Sequence, residues 1–216
     1  MITIQKFTVN PFQENTYLLS DESGEAVLVD AGFYFPEERR QILDYLKKNE
    51  LTLVRLVNTH CHFDHLMGVD FLRQKFGIPF VCHTDDAFWL DMVSGQSQSF
   101  GIPMKNVAMA DGFISETDVI RFGKSTLQII HVPGHSPGHV AFYLKDEMSL
   151  FAGDSLFFRS IGRSDLPGGN FSELITSIRN KLFVLPPETK VWSGHGEETS
   201  IGYEAAHNPF FISGRK

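Results

Sequence analysis

The sequence predicts a mixed α/β fold in which two sheets pack face to face with helices outside. Three observations carry this. Strand-like runs lead into helical ones in both halves of the chain, about 1–115 and 116–216. The 216 residues are 42% hydrophobic, which suffices for a full core. No Pro/Gly/Ser-rich linker separates the halves, so one domain over 1–216 is expected.

In the first half, Ile2–Val9, Asn15–Ser20 and Ala26–Asp30 read as strands, with Asp21–Gly24 a polar turn. Pro36 opens a helix that runs to Lys48, with Ile42, Leu43 and Leu46 at helical spacing. Leu53–Asn58 reads as a buried strand, Thr59–His65 as a loop, Met67–Phe76 as a helix and Phe80–His83 as a strand. In the second half, Val119–Phe122, Thr126–Val132, His139–Leu144 and Ser149–Ala152 are strands. Phe171–Leu182 is a helix, Val191–Ser193 a strand and Ile201–His207 a last helix. Asp86–Phe113 mixes Phe88, Trp89, Leu90, Met92, Phe100, Met104 and Met109 with small polar residues. Such residues favour a helix and loop packed on the core; the functional alternative is a pocket wall, a lid or an oligomer contact.

Lys plus Arg number 19 and Asp plus Glu 26, a formal net charge of −7. An acidic chain without a Lys/Arg cluster is a poor partner for a phosphate backbone, so no nucleic-acid role is expected. The two cysteines, Cys61 and Cys82, provide no disulfide framework. No apolar run is long enough to span a bilayer and no charged leader with an apolar core opens the chain, so a cytoplasmic protein with no membrane partner is expected.

Three of nine histidines fall within the six residues His60-Cys61-His62-Phe63-Asp64-His65. Crowded imidazoles repel when protonated, whereas neutral imidazole is the commonest metal ligand. His60 and His62 are two apart on an extended chain and share a side; Asp64 and His65 lie past a bend and face a second point. Six residues cannot complete two coordination spheres, since zinc takes about four ligands. Candidates for the remainder each follow a strand and a glycine: His135, Asp154 and His195. The expected assignment is His60, His62 and His135 on one cation, Asp64, His65 and His195 on another, and Asp154 bridging both. This ligand set favours two zinc ions, with iron or manganese as alternatives. Cys61 sits at the alternate position and is expected to point away. His83, His131 and His207 carry no motif and read as structural.

These residues resemble the metallo-β-lactamase superfamily, whose His-x-His-x-Asp-His hallmark stands here as His60–His65. The likeness extends to Leu28-Val29-Asp30-Ala31-Gly32, to Pro133–His139, and to Gly153-Asp154 and Gly194-His195-Gly196. It implies a four-layer αββα sandwich with the metals at one edge. Flavodiiron proteins carry a glutamate where His62 stands, and zinc β-lactamases usually carry a cysteine or no bridging ligand where Asp154 stands. Among the branches, the chain looks most like glyoxalase II, the hydroxyacylglutathione hydrolases, and their short bacterial relatives. Gly153–Phe157 followed by Gly162–Gly169 is typical of that group. Glu197 replaces the tyrosine usual in the long enzymes, whose C-terminal helical region adds basic residues for glutathione.

The resemblance implies hydrolysis of a small-molecule thioester, S-acylglutathione to free acid and thiol, by water activated between the metals. Asp64 and Asp154 are the expected catalytic carboxylates. Asp30 matches the family's first-motif aspartate and is expected to orient the ligand loop, and His139 either does likewise or is structural. Arg163 holds a substrate carboxylate or pairs with Asp165; Phe157, Phe158 and Tyr143 line the pocket or pack in the core. Three rival readings stand beside this one. They are a single-iron persulfide dioxygenase on His60, His135 and Asp154, a lactone or other ester hydrolase at the same site, and a non-enzymatic metal-binding module using 86–113. A homo-oligomer is compatible with the apolar 86–113 segment.

Overall fold

The computed structural model describes residues 1–212. Its first sheet hydrogen-bonds β1 (Thr3–Val9), β2 (Glu14–Ser20), β3 (Glu25–Val29), β4 (Thr52–Val57), β5 (Phe80–His83) and β6 (Gly112–Ile114) in that order. β1 to β3 are antiparallel and joined by tight turns. From β3 to β6 the pairing is parallel, because α1 (Pro36–Lys48), α2 (Val69–Phe76) and α3 (Phe88–Ser99) each return the chain to the same end.

The second sheet runs β7 (Val119–Phe122), β8 (Ser125–His131), β9 (Val140–Leu144) and β10 (Ser149–Gly153) antiparallel. A small hairpin follows, β11 (Leu156–Phe157) with β12 (Ser160–Ile161), and then α4 (Phe171–Ser177). β13 (Lys190–Ser193) pairs parallel to β10, β14 (Thr199–Ser200) closes the edge and α5 (Ile201–His207) ends the fold.

Strand alternation builds the layers. Tyr17, Leu19, Val27 and Val29 point between the sheets and meet Leu127, Ile129, Phe142 and Phe151. The alternate residues Leu18, Leu28 and Leu56 pack outward against Ile42, Leu46, Leu72, Trp89 and Leu90 of the helices. On the far side Ala141, Tyr143, Leu150 and Val191 pack against Leu174, Ile178 and Ile201. The result is helix, sheet, sheet, helix, as expected. β2 therefore reads as uninterrupted burial, because both its faces are covered.

Most element boundaries fall within two residues of the sequence expectation. β6, β11, β12 and β14 have two or three residues each, too short for a period-two pattern, and sequence reasoning misses them. The helix expected over Phe171–Leu182 is α-helical only to Ser177 and continues as a π-helical turn over Ile178–Leu182. No helix among the described residues is long and apolar enough to cross a membrane.

At the end of β2 remote from the histidines, Asp21 ties the two sheets together. Its carboxylate accepts from Ser23, from the Lys124 N–H and from the Ser125 hydroxyl in the β7–β8 turn. Burial would raise its pKa, but these bonds outweigh it and hold the carboxyl at about 2, against 3.8. A folded-state pKa below the unfolded one stabilises above the unfolded value and fades as pH falls toward the folded one. Denaturation midpoints should therefore drop between pH 4 and pH 2, and Asp21→Asn should flatten that drop. Parallel acid profiles for the two proteins would contradict this role.

Candidate metal centre

Loops leaving the ends of β3, β4, β5, β8, β10 and β13 meet at one edge of the sandwich. All seven sequence-predicted ligands converge there. His135 Nε2 lies 2.9 Å from His62 Nδ1 and 3.3 Å from His60 Nε2. Asp64 Oδ2 lies 3.3 Å from His195 Nε2 and 3.8 Å from His65 Nε2. Asp154 stands between the groups. Its Oδ1 is 3.4 Å from His65 Nε2, and its Oδ2 is 3.5 Å from His195 Nε2 and 3.7 Å from His135 Nε2. His60, His62 and His135 thus form one His cluster, and Asp64, His65 and His195 a second.

The protons of these imidazoles can be placed from their other nitrogens. His135 Nδ1 faces the Arg163 carbonyl at 2.7 Å and His195 Nδ1 faces the Phe12 carbonyl at 3.0 Å. A carbonyl only accepts, so both nitrogens carry N–H. His65 Nδ1 donates to Asp30 Oδ2 at 3.1 Å. The Thr59 hydroxyl spends its proton on Asp30 Oδ2, so it accepts from His60 Nδ1 at 3.0 Å. In the neutral imidazole each of the four Nε2 atoms is therefore a lone pair aimed into the centre. His65 Nε2 and Asp154 Oδ1 are buried without a hydrogen-bond partner. Lone pairs facing lone pairs 3.3 Å apart at His60 and His135 repel unless a cation lies between them. The residues fit a pair of divalent cations.

Electrostatics divides the site in the same way. Burial and the neighbouring imidazoles push His60 well below its ordinary pKa and His62 down to about 3, so both are neutral donors at pH 7. Burial also opposes charge on His65 and His195, but Asp154 and Asp64 overcome it and raise both. Asp154 is held far below the carboxylate range, against its burial, by His195 and His65. One cluster is neutral and the other carries the Asp64 carboxylate, with Asp154 between them, an uneven pair of cation sites.

The sequence pattern described as the metallo-beta-lactamase superfamily matches residues 9–195. The chain belongs to the metallo-β-lactamase superfamily. Hydroxyacylglutathione hydrolase GloC of Haemophilus influenzae is 34% identical over 214 residues, 98% of this chain and 99% of that protein. The structure of BLEG-1, described as a B3 metallo-beta-lactamase, superposes with a TM-score of 0.90 at 39% identity, covering 98% of this chain and 100% of that one. TTHA1623 in a di-iron-bound form superposes at 0.86 with 35% identity, over 95% and 99% of the two chains.

Within the superfamily fold, the supports of the two clusters are specific to named residues. Asp30, at φ 53° just past β3, accepts from the Thr59 N–H and hydroxyl as well as from His65. These bonds tie the start of the ligand loop to the end of β3. His139 is buried, and its Nε2 accepts from the Asp154 N–H at 3.1 Å, so it positions Asp154 through the backbone. Gly153 turns the chain at φ 49°, where a Cβ would strike Thr59; a Cβ at Gly194 would strike the Asp154 carboxylate. Cys61 points away from the clusters into the core beside Cys82, as alternation predicts.

Sequence reasoning misses four supports. Asp86, fully buried at the end of β5, accepts from Cys61 N, Ser136 Oγ and Gly138 N and so joins two ligand loops. Asn58 Nδ2 donates to the carbonyls of His60 and His65. Asn10 Nδ2 donates to the Asp64 carbonyl, and Asn15 Nδ2 donates to those of Ser193 and Gly196. The available signal was polar residues at or just past the ends of buried strands, on the edge where ligand loops gather.

Some pocket expectations need correction. Tyr143 does not line the pocket: on β9 it alternates with Phe142, faces the helical side and packs in the outer core. Phe158 faces away and stacks on Tyr203. Phe157 is half-buried, 6.3 Å from the His195 ring, and lies beside the site rather than in the pocket wall. Arg163 does line the pocket, but its guanidinium makes a bidentate pair with Asp165, both bonds 2.8 Å. The segment 86–113 divides: Trp89, Leu90 and Val93 pack in the core, while Gln96 and Phe100 reach the pocket. His83 and His131 do come together, with Asp85 close by. Their rings lie 4.4 Å apart and nearly parallel at 9°, so their in-plane lone pairs do not converge on a point.

Proposed function

We propose that this chain is a dinuclear metal-dependent thioesterase of the glyoxalase II kind, with zinc as its metal and S-acylglutathione as the reference substrate. The observation that carries the reading is the ring of imidazole nitrogens, four of them fixed by an outward N–H, around one carboxylate that faces both clusters. His60, His62 and His135 would hold one cation, Asp64, His65 and His195 the other, and Asp154 both. Bound there, the cations supply Lewis acidity that brings the pKa of water toward neutrality and stabilises charge on a carbonyl oxygen. The chain supplies the rest. Asp30, Thr59, Arg163 O and Phe12 O keep His65, His60, His135 and His195 in their donating tautomers. Asp64 lines the pocket and carries the proton from the attacking water to the departing thiolate. Phe12, Phe63 and Leu166 exclude bulk water from the carbonyl.

Imidazole and carboxylate donors are compatible with zinc. The di-iron form of TTHA1623 makes iron the alternative, and metal analysis of purified protein decides between them. The relation to GloC supports the thioester substrate. Metal-loaded protein should hydrolyse S-lactoylglutathione; chelation should remove the activity and added Zn²⁺ should restore it. Turnover that survives exhaustive chelation would contradict the metal's role, and inactivity of the metal-loaded protein on every thioester would contradict the thioesterase reading.

A second reading, β-lactam hydrolysis, draws support from the 39% identity to BLEG-1 despite the carboxylate at Asp154. Nitrocefin turnover exceeding thioester turnover would favour it. The single-iron dioxygenase reading leaves the convergence of Asp64, His65 and His195 without a purpose. Oxygen uptake with glutathione persulfide tests it.

A further inference from the structure

The pocket that opens onto the metal centre has a volume of about 300 Å³. Phe12, Phe63 and Phe100 form one continuous face of it. Phe12 meets Phe63 edge-on at 5.0 Å and Phe100 edge-on at 5.5 Å, and Phe63 stacks on Phe100 at 5.3 Å. The face is built on the same backbone that holds the ligands. Phe63 stands between His62 and Asp64 in the chain, and the Phe12 carbonyl fixes His195. Asn10 accepts from the Phe12 N–H while donating to the Asp64 carbonyl, and Gln96 Oε1 accepts from the Phe63 N–H. Phe100 closes α3 and leaves 49% of its surface open at the mouth.

Arg163 is the single Lys or Arg of the lining, and Asp165 already pairs with it. Arg163 also marks the opposite side, since its carbonyl fixes His135 whereas that of Phe12 fixes His195. Outside the predicted ligands, the polar side chains of the lining are Arg163 and Gln96, and the Gln96 oxygen is engaged. A hydroxyl laid against the three rings would lose its water and find no partner among the ring carbons. A ring laid there gains edge or stacking contact with aromatic carbons.

We infer that the Phe12–Phe63–Phe100 face receives the acyl group and selects apolar, ring-bearing acyl thioesters over hydroxyacyl ones, the thiol carrier leaving past Arg163. This rests on the thioesterase reading and names its substrate class. The test uses metal-loaded protein and one constant small thiol, N-acetylcysteamine, carrying acetyl, lactoyl, butyryl or phenylacetyl groups. kcat/KM should rise with apolar size, with phenylacetyl at least about tenfold above lactoyl, the order expected of a hydrophobic pocket. Phe100→Ala should lower the phenylacetyl-to-acetyl ratio about fivefold or more, and Phe100→Leu should restore part of it. Equal or better use of lactoyl, or a ratio unmoved by Phe100→Ala, overturns the inference while leaving the thioesterase reading intact.

Product binding separates the two failures. Calorimetry should find phenylacetate bound more tightly than lactate by about tenfold, with the difference reduced in Phe100→Ala. That preference without any thioester turnover would sink the thioesterase reading and keep the apolar acyl pocket; its absence overturns the pocket.

Discussion

Asp154→Ala should lower hydrolytic turnover by at least about a thousandfold and reduce bound metal from two equivalents toward one, with the fold retained. Asp154 alone faces both clusters, 3.4 Å from His65, 3.5 Å from His195 and 3.7 Å from His135. Its loss leaves two unlinked half-sites and one carboxylate fewer to offset the charge of two cations. Metal-based stabilisation of a transition state is worth several kcal/mol, and about 4 kcal/mol corresponds to a factor of a thousand. The side chain is partly open to the pocket and outside the main apolar clusters, so circular dichroism should report an intact fold. Asp154→Asn keeps the shape and one carbonyl oxygen and should retain more metal than alanine. Full turnover by Asp154→Ala would remove this residue from the chemistry.

Asp86→Ala should produce the largest loss of stability. The carboxylate accepts from Cys61 N at 3.0 Å, from Ser136 Oγ at 2.7 Å and from Gly138 N at 2.6 Å. Alanine strands three buried donors, each costing about 1–3 kcal/mol, for a total of at least about 3 kcal/mol. For a chain of this size that is a Tm lower by roughly 10 °C or more. Asp86 also joins the His60–His65 loop to the loop bearing His135. Affinity for the cation held by His60, His62 and His135 should fall about 10- to 100-fold, as for other residues that orient metal ligands. Scanning calorimetry and metal titration read the two effects. Asp86→Asn, which keeps an acceptor oxygen, should lose less of each. A wild-type Tm together with wild-type metal affinity would refute the role.

Much of the site is legible in the sequence because metal chemistry narrows the choice of residues. His60–His65 packs three histidines and an aspartate into one short stretch, and the glycines before His135, Asp154 and His195 mark chain reversals after strands. The layered fold is legible for a related reason. Ile42 and Leu46 recur at helical spacing, and β8 alternates clearly because one of its faces is partly open. The supporting residues are hidden. Asp86 and Asn10 act through hydrogen bonds to backbone atoms far along the chain, which no local pattern encodes. Tyr143 is misplaced because strand alternation tells that its two faces differ, not which of them meets the site. The aromatic face is hidden too, since Phe12, Phe63 and Phe100 come from a turn, a ligand loop and a helix end.

The most direct test is anomalous scattering from crystals of the zinc-loaded protein, recorded on both sides of the zinc edge. Two peaks about 3.5–4 Å apart are predicted, the spacing of two-metal hydrolytic sites. One should lie among His60, His62 and His135 and the other among Asp64, His65 and His195, with Asp154 touching both. A single peak with Asp64 and His195 turned away from it, or no peak at this edge of the sandwich, would contradict the account.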